Sequence, residues 1–203
     1  ALFNLSAPIG AACYPRLIQL TAVGDEEALR EFYHRSCQIL SVVIIPVTVV
    51  ISAFSSEVLF AWTGNRDTTA NAHLVLSLLI IGTCCNGLMS LPVSLQIAHG
   101  WTRLIVTINV FAIAVIVPLE FFGARRWGAP GAAVGWLVVN ASYVLSVIQL
   151  MHRKLLKGDQ RRWYLSDVLL PGAGAVAVGL VAKLLPSPPT RVGSLVFVGV
   201  VYA

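Results

Sequence analysis

Six polar side chains interrupt runs of apolar residues: Asn86, Gln96, Arg103, Asn109, Glu120 and Asn140. A polar group placed in hydrocarbon costs free energy, so each needs a partner or a role. The four amides can donate and accept hydrogen bonds at once. They suit a solute rich in hydroxyl groups, and they equally suit bonds between neighbouring helices. Arg103 stands beside a tight turn, where a guanidinium can pair with a phosphate or anchor the chain at a charged membrane face. Glu120 lies near the end of its run. It either reaches the interface and pairs with Arg125 or Arg126, or stands as a buried carboxylate able to take a proton or sodium.

Nothing here is arranged for covalent chemistry. There is no H-E-x-x-H and no G-x-S-x-G, and His34, His73, His99 and His152 lack metal-ligand spacing. No catalytic residue, metal or cofactor is therefore expected. Cys13, Cys37, Cys84 and Cys85 form no C-x-x-C pair and read as small apolar filler.

The elements that must position these groups are long. Apolar runs cover about 38–62, 73–98, 102–122, 128–151 and 166–185, with a shorter one at 193–203. A helix of about 20 apolar residues matches a hydrocarbon layer about 30 Å thick. Hydrophobic residues make up 57% of the 203 and charged residues 11%, against about 25% charged in a soluble domain. So little charge cannot clothe a water-facing surface, and lipid must be the solvent for much of the chain. Backbone groups in lipid must bond within their own segment or in a closed barrel. The runs are too long and too evenly apolar for barrel strands. An all-α, polytopic bundle of transmembrane helices in one domain is the expected fold.

Net charge is +5, and the positive residues lie in short connections, so nucleic acid is not an expected partner. Side A is formed by the connections 16–37, 99–103 and 152–165. It holds nine of the 14 Lys and Arg, and side B holds the other five. The excess predicts that side A is cytoplasmic. The basic stretch 153–162 suits anionic lipid headgroups.

Local signals add detail. Residues 1–15 read as the end of a helix closed by Pro15, and residues 26–37 as an interfacial helix leading into the first span. Pro46 is either a hinge or a fixed bend. The turn at 99–103 is so short that the spans around it, 73–98 and 102–122, must pack as an antiparallel hairpin, and another tight turn follows at 123–128. Gly131 and Gly135 form a G-x-x-x-G, read as a close contact within the chain. Residues 186–189, Pro-Ser-Pro-Pro, read as a stiff side B turn. Both ends of the chain look like cuts through membrane helices.

Several patterns, in order along residues 14–167, resemble the polysaccharide-exporter branch of the MOP flippase superfamily. They are Tyr14-Pro15-Arg16-Leu17 followed by Gly24-Asp25; Val58-Leu59-Phe60-Ala61-Trp62-Thr63-Gly64-Asn65; Leu95-Gln96-Ile97-Ala98-His99-Gly100 with Arg103 and Asn109; Gly128-Ala129-Pro130-Gly131-Ala132-Ala133; and Arg161-Arg162-Trp163-Tyr164 with Asp167. The resemblance implies the C-terminal part of a MATE-like fold, in which two six-helix lobes flank a central cavity. On that scheme the N-terminal lobe of the same protein is a missing partner, and this piece does not transport alone. The implied function is alternating-access movement of a polyprenyl-pyrophosphate-linked oligosaccharide, the lipid carrier being undecaprenyl, across a bacterial inner membrane. The implied substrate-binding residues are Asn86, Gln96, Arg103, Asn109, Glu120 and Asn140, and membrane lipids are further partners. The alternative within transport is a cation-coupled multidrug antiporter, which would rest on Glu120. A membrane-embedded glycan polymerase or ligase would need a sizeable side B loop, and those loops are short.

Overall fold

The computed structural model describes residues 2–184. The side chain of Lys183, the 186–189 turn, Arg191 and the run 193–203 lie outside the described residues. All regular structure among those described is helical, and five spans are long and apolar enough to cross a membrane: Glu26–Ala53, Arg66–Ala98, Thr102–Trp127, Ala129–Lys154 and Gln160–Val181. The chain is an all-α, multi-pass membrane bundle.

Helix α1 (Leu2–Val23) runs straight through Pro15, contrary to the expectation that Pro15 closes it. A proline forfeits one backbone donor, which a helix of this length tolerates. The end is set instead by Gly24, whose φ of 75° takes the left-handed region, with its N–H donating to the Leu20 carbonyl. Asp25 then caps the next helix, its side chain accepting from the Ala28 N–H at 3.0 Å. Helix α2 (Glu26–Ala53) is continuous. The segment expected to lie in the interface is simply its first turns, and Pro46 does not interrupt it.

Two expected spans are broken. Phe54 separates α2 from α3 (Ser55–Thr63), and Met89 separates α4 (Arg66–Leu88) from α5 (Ser90–Ala98). The second break has a clear cause. Pro92 has no N–H to offer the Leu88 carbonyl, and Met89 N–H turns to Asn86 O at 3.1 Å. Helix α6 (Thr102–Trp127) passes through Pro118 and beyond its expected end, to a turn at Gly128 with φ 66°. Helix α7 (Ala129–Lys154) comes next, then a short α8 (Gln160–Arg162), a π-helical turn (Trp163–Leu169) and α9 (Leu170–Lys183).

Packing is uneven. The buried core gathers Leu17, Tyr33, Leu40, Leu91, Leu95, Ile148, Met151 and Trp163 from α1, α2, α5, α7 and the π turn. Two connections of side A are tied together there, with Lys154 Nζ 4.0 Å from the Trp101 ring centre. Elsewhere small residues carry the contacts. A Cβ on Gly82 of α4 would lie 2.6 Å from Trp136 of α7, and one on Gly123 of α6 would lie 2.7 Å from the Gly131 carbonyl. Gly135, the other half of the G-x-x-x-G, lies against Glu120 of α6. Backbones in lipid approach this closely only where side chains are absent. No residue in the apolar stretch of α6 is fully buried, and on its outer face Val110, Phe111 and Val117 are each at least 60% accessible.

Candidate functional site

The break at Met89 shapes a site. Because α5 starts afresh after Met89, its first turn faces α1, and its polar residues Ser90 and Ser94 look into a gap between α1 and α6. Helix α6 leans on α7 and has few neighbours besides, so the gap stays open. The result is a groove of about 360 Å³ lined by residues of α1, α4, α5, α6 and α7, among them Asn86, Ser90, Ser94, Gln96, Asn109 and Tyr143. Its wall toward α1 is made of small residues, Ser6, Ala7, Gly10 and Ala11.

The polar groups differ in how they are held. Asn86 Nδ2 donates to Asn140 Oδ1 at 2.9 Å, and Asn140 Nδ2 donates to the Trp136 carbonyl at 2.8 Å. Asn140 is buried behind Asn86 and is not among the groove-lining residues. Tyr143 Oη donates to Asn109 Oδ1 at 3.0 Å, which leaves the Asn109 amide N–H pair exposed. Gln96 is fully buried, and neither its Oε1 nor its Nε2 has a hydrogen-bond partner; Ser90 Oγ is also unpartnered. Unpaired polar atoms of this kind are uncommon in folded chains and mark places where water or a ligand belongs.

The six residues singled out from the sequence therefore divide. Asn86, Gln96 and Asn109 line one groove, and Asn140 supports Asn86 from behind. Arg103 is exposed on the first turn of α6 and does not line the groove. Glu120 is half-buried against Gly135, away from the groove, and among the described residues it forms no ion pair with Arg125 or Arg126. Arg125 instead lies over the Phe121 ring, 4.6 Å from its centre.

Residues that reasoning from sequence passed over also line the groove. Ser90 and Ser94, four apart around Pro92, share a helical face. Tyr143 stands three residues after Asn140, the spacing that puts both on one side of α7. These spacings were legible; the break that turns α5 toward α1 was not.

No family model matches the chain, and no solved structure matches it. It is 26% identical over 134 residues to a Shigella flexneri protein named "Putative O-antigen transporter". The match covers 66% of this chain and 31% of that protein, so the chain spans about a third of the relative's length.

Proposed function

We propose that the chain is part of a flippase that moves an undecaprenyl-pyrophosphate-linked glycan across the bacterial inner membrane, with the amide-lined groove contributing to the path of the sugar. One observation carries this reading: three amides from different helices, Asn86, Gln96 and Asn109, line one groove beside Ser90, Ser94 and Tyr143. Amides and hydroxyls offer donors and acceptors together, as sugar hydroxyls require. The similarity to a protein named for O-antigen transport supports the choice of solute.

Among the described residues, no ionised side chain lines the groove. It suits a neutral sugar, while the pyrophosphate would remain near the membrane face, where Arg103 stands exposed. The nine positive residues of side A favour a cytoplasmic side A. Passage needs no bond to form or break, so no enzymatic step is invoked. A cation-coupled drug antiporter would be favoured by a carboxylate in the groove, and Glu120 lies outside it.

The test is rescue of surface glycan in a flippase-deficient strain by the gene that encodes this chain. Rescue that is lost on Gln96→Leu and Asn109→Leu, with the protein still in the membrane, is the expected result. Rescue by those variants equal to that by the unchanged gene would refute the role of the groove.

A further inference from the structure

Arg125 and Arg126 take no part in the groove. They stand in the last turn of α6, at its side B end. Side B is the side poorer in positive residues, so the bias that sets orientation does not account for them. Pairing with a carboxylate does not account for them either. Glu120 lies against Gly135 of α7, and Arg125 lies over the Phe121 ring. Among the described residues, Arg126 has no hydrogen-bond or ion-pair partner.

Arg126 lines a second cavity. Helices α4 and α6 both pack on α7 but scarcely meet each other. Glycine contacts hold them on different faces of α7: Gly123 of α6 meets Gly131, and Gly82 of α4 meets Trp136. At 3.6 residues per turn, positions 131 and 136 are roughly 140° apart around the helix. The two neighbours are therefore splayed, and a crevice of about 650 Å³ is left between them. Leu74 and Leu78 of α4 form one wall, Leu119 and Phe122 of α6 the other, and Val134 of α7 the floor. The crevice follows α6 from Leu119 to Trp127, about 12 Å at 1.5 Å per residue. It is open to the outside of the bundle, since Leu74, Phe122 and Trp127 are exposed.

Its chemistry changes along its length. The deep part is hydrocarbon. At the side B mouth stand Trp127, an aromatic suited to the membrane interface, and Arg126, the one charged side chain among the described lining residues. An apolar cleft stays dry, and an empty one forfeits the dispersion contacts of its walls. A hydrocarbon chain from the bilayer restores them. The guanidinium at the mouth selects the head of that chain, because Arg pairs with phosphate through two parallel N–H···O bonds. Two adjacent arginines favour a head with net negative charge.

We propose that the crevice between α4, α6 and α7 binds an anionic glycerophospholipid of the side B leaflet, with one acyl chain between the leucine walls and the phosphate on Arg126. The lipid joins α4 to α6, which the protein leaves apart. The inference does not rest on the glycan reading.

The experiment reads quenching of Trp127 fluorescence in the protein encoded by the gene, reconstituted in phosphatidylcholine vesicles with a rising fraction of bromine-labelled lipid. The Trp127 signal is the part of the emission lost in Trp127→Phe. Labelled phosphatidylglycerol should half-quench it at about one-fifth of the mole fraction that labelled phosphatidylcholine needs, the effect of one basic side chain on an anionic lipid. Arg126→Gln should abolish that preference, and Val134→Phe, which fills the floor, should abolish it with Arg126 intact. Equal quenching by the two lipids in the unchanged protein overturns the site and leaves ordinary surrounding lipid. Quenching by neither overturns it in favour of a protein segment in the crevice. A preference that survives Val134→Phe overturns the acyl-chain site and leaves surface attraction alone. Relief of quenching by undecaprenyl phosphate at a lower fraction than by unlabelled phosphatidylglycerol assigns the crevice to a polyprenyl lipid and overturns the phospholipid.

Discussion

Gln96 is buried with both amide atoms unpaired, an arrangement that costs roughly 1–3 kcal/mol for an unsatisfied group. A residue kept only for packing would not be an amide. Gln96→Leu should therefore leave stability unchanged or raise it by about 1 kcal/mol, while abolishing rescue of surface glycan. Thermal unfolding in detergent, run beside the rescue assay, separates the two effects. Asn86 and Asn140 make the opposite case, since each satisfies the other. Asn140→Ala strips Asn86 of its partner and should cost about 1 kcal/mol. The double change Asn86→Leu with Asn140→Leu should cost less than the sum of the single changes. A double-mutant cycle by denaturant unfolding measures that difference. The candidate amides were legible from the sequence because each interrupts an apolar run. The buried contact of His34 with Asp167 was not, because the two lie 133 residues apart in chain order and no local spacing connects them.

Helices in this bundle meet where glycine allows it. A Cβ on Gly131 would overlap the backbone of Gly123, which cannot move aside, whereas one on Gly135 would meet the flexible Glu120 side chain at 3.0 Å. Gly131→Ala should therefore destabilise the α6–α7 hairpin by about 1–3 kcal/mol, and Gly135→Ala by less. Unfolding free energies of the two variants check the order. The G-x-x-x-G, read as a close contact within the chain, pointed to this packing, whereas the hairpin expected around 99–103 does not form a packed pair, because α6 leans on α7 and scarcely meets α4 or α5. Prolines were harder to read. Pro15, Pro46 and Pro118 sit inside continuous helices, while Pro92 accompanies a break. Each removes one backbone donor, but whether the helix breaks depends on the neighbours. At Met89 an alternative hydrogen bond to Asn86 was available, and the chain took it. That one break turns Ser90 and Ser94 toward the groove, so the shape of the site was hidden even though its residues were visible.

At the scale of the molecule, the half of the bundle near side A is tightly packed and the α6 side is open. The apolar face of α6 suits lipid, and the polar groove beside it suits a hydrated solute. The all-α class and the apolar character of the spans followed from the sequence because lipid allows few solutions to backbone hydrogen bonding. The central claim is that the groove between α1 and α6 admits water and a polar solute while α6's outer face does not. Single cysteines at Ser94 and Asn109 in the groove, and at Phe111 and Val117 on the outer face, test it directly by labelling in membranes with a water-borne, membrane-impermeant thiol reagent, each rate taken above that of the native cysteines. The account predicts labelling at 94 and 109, slowed by lipid-linked glycan, and none at 111 and 117. Equal labelling at all four positions, or labelling on the outer face alone, would contradict it.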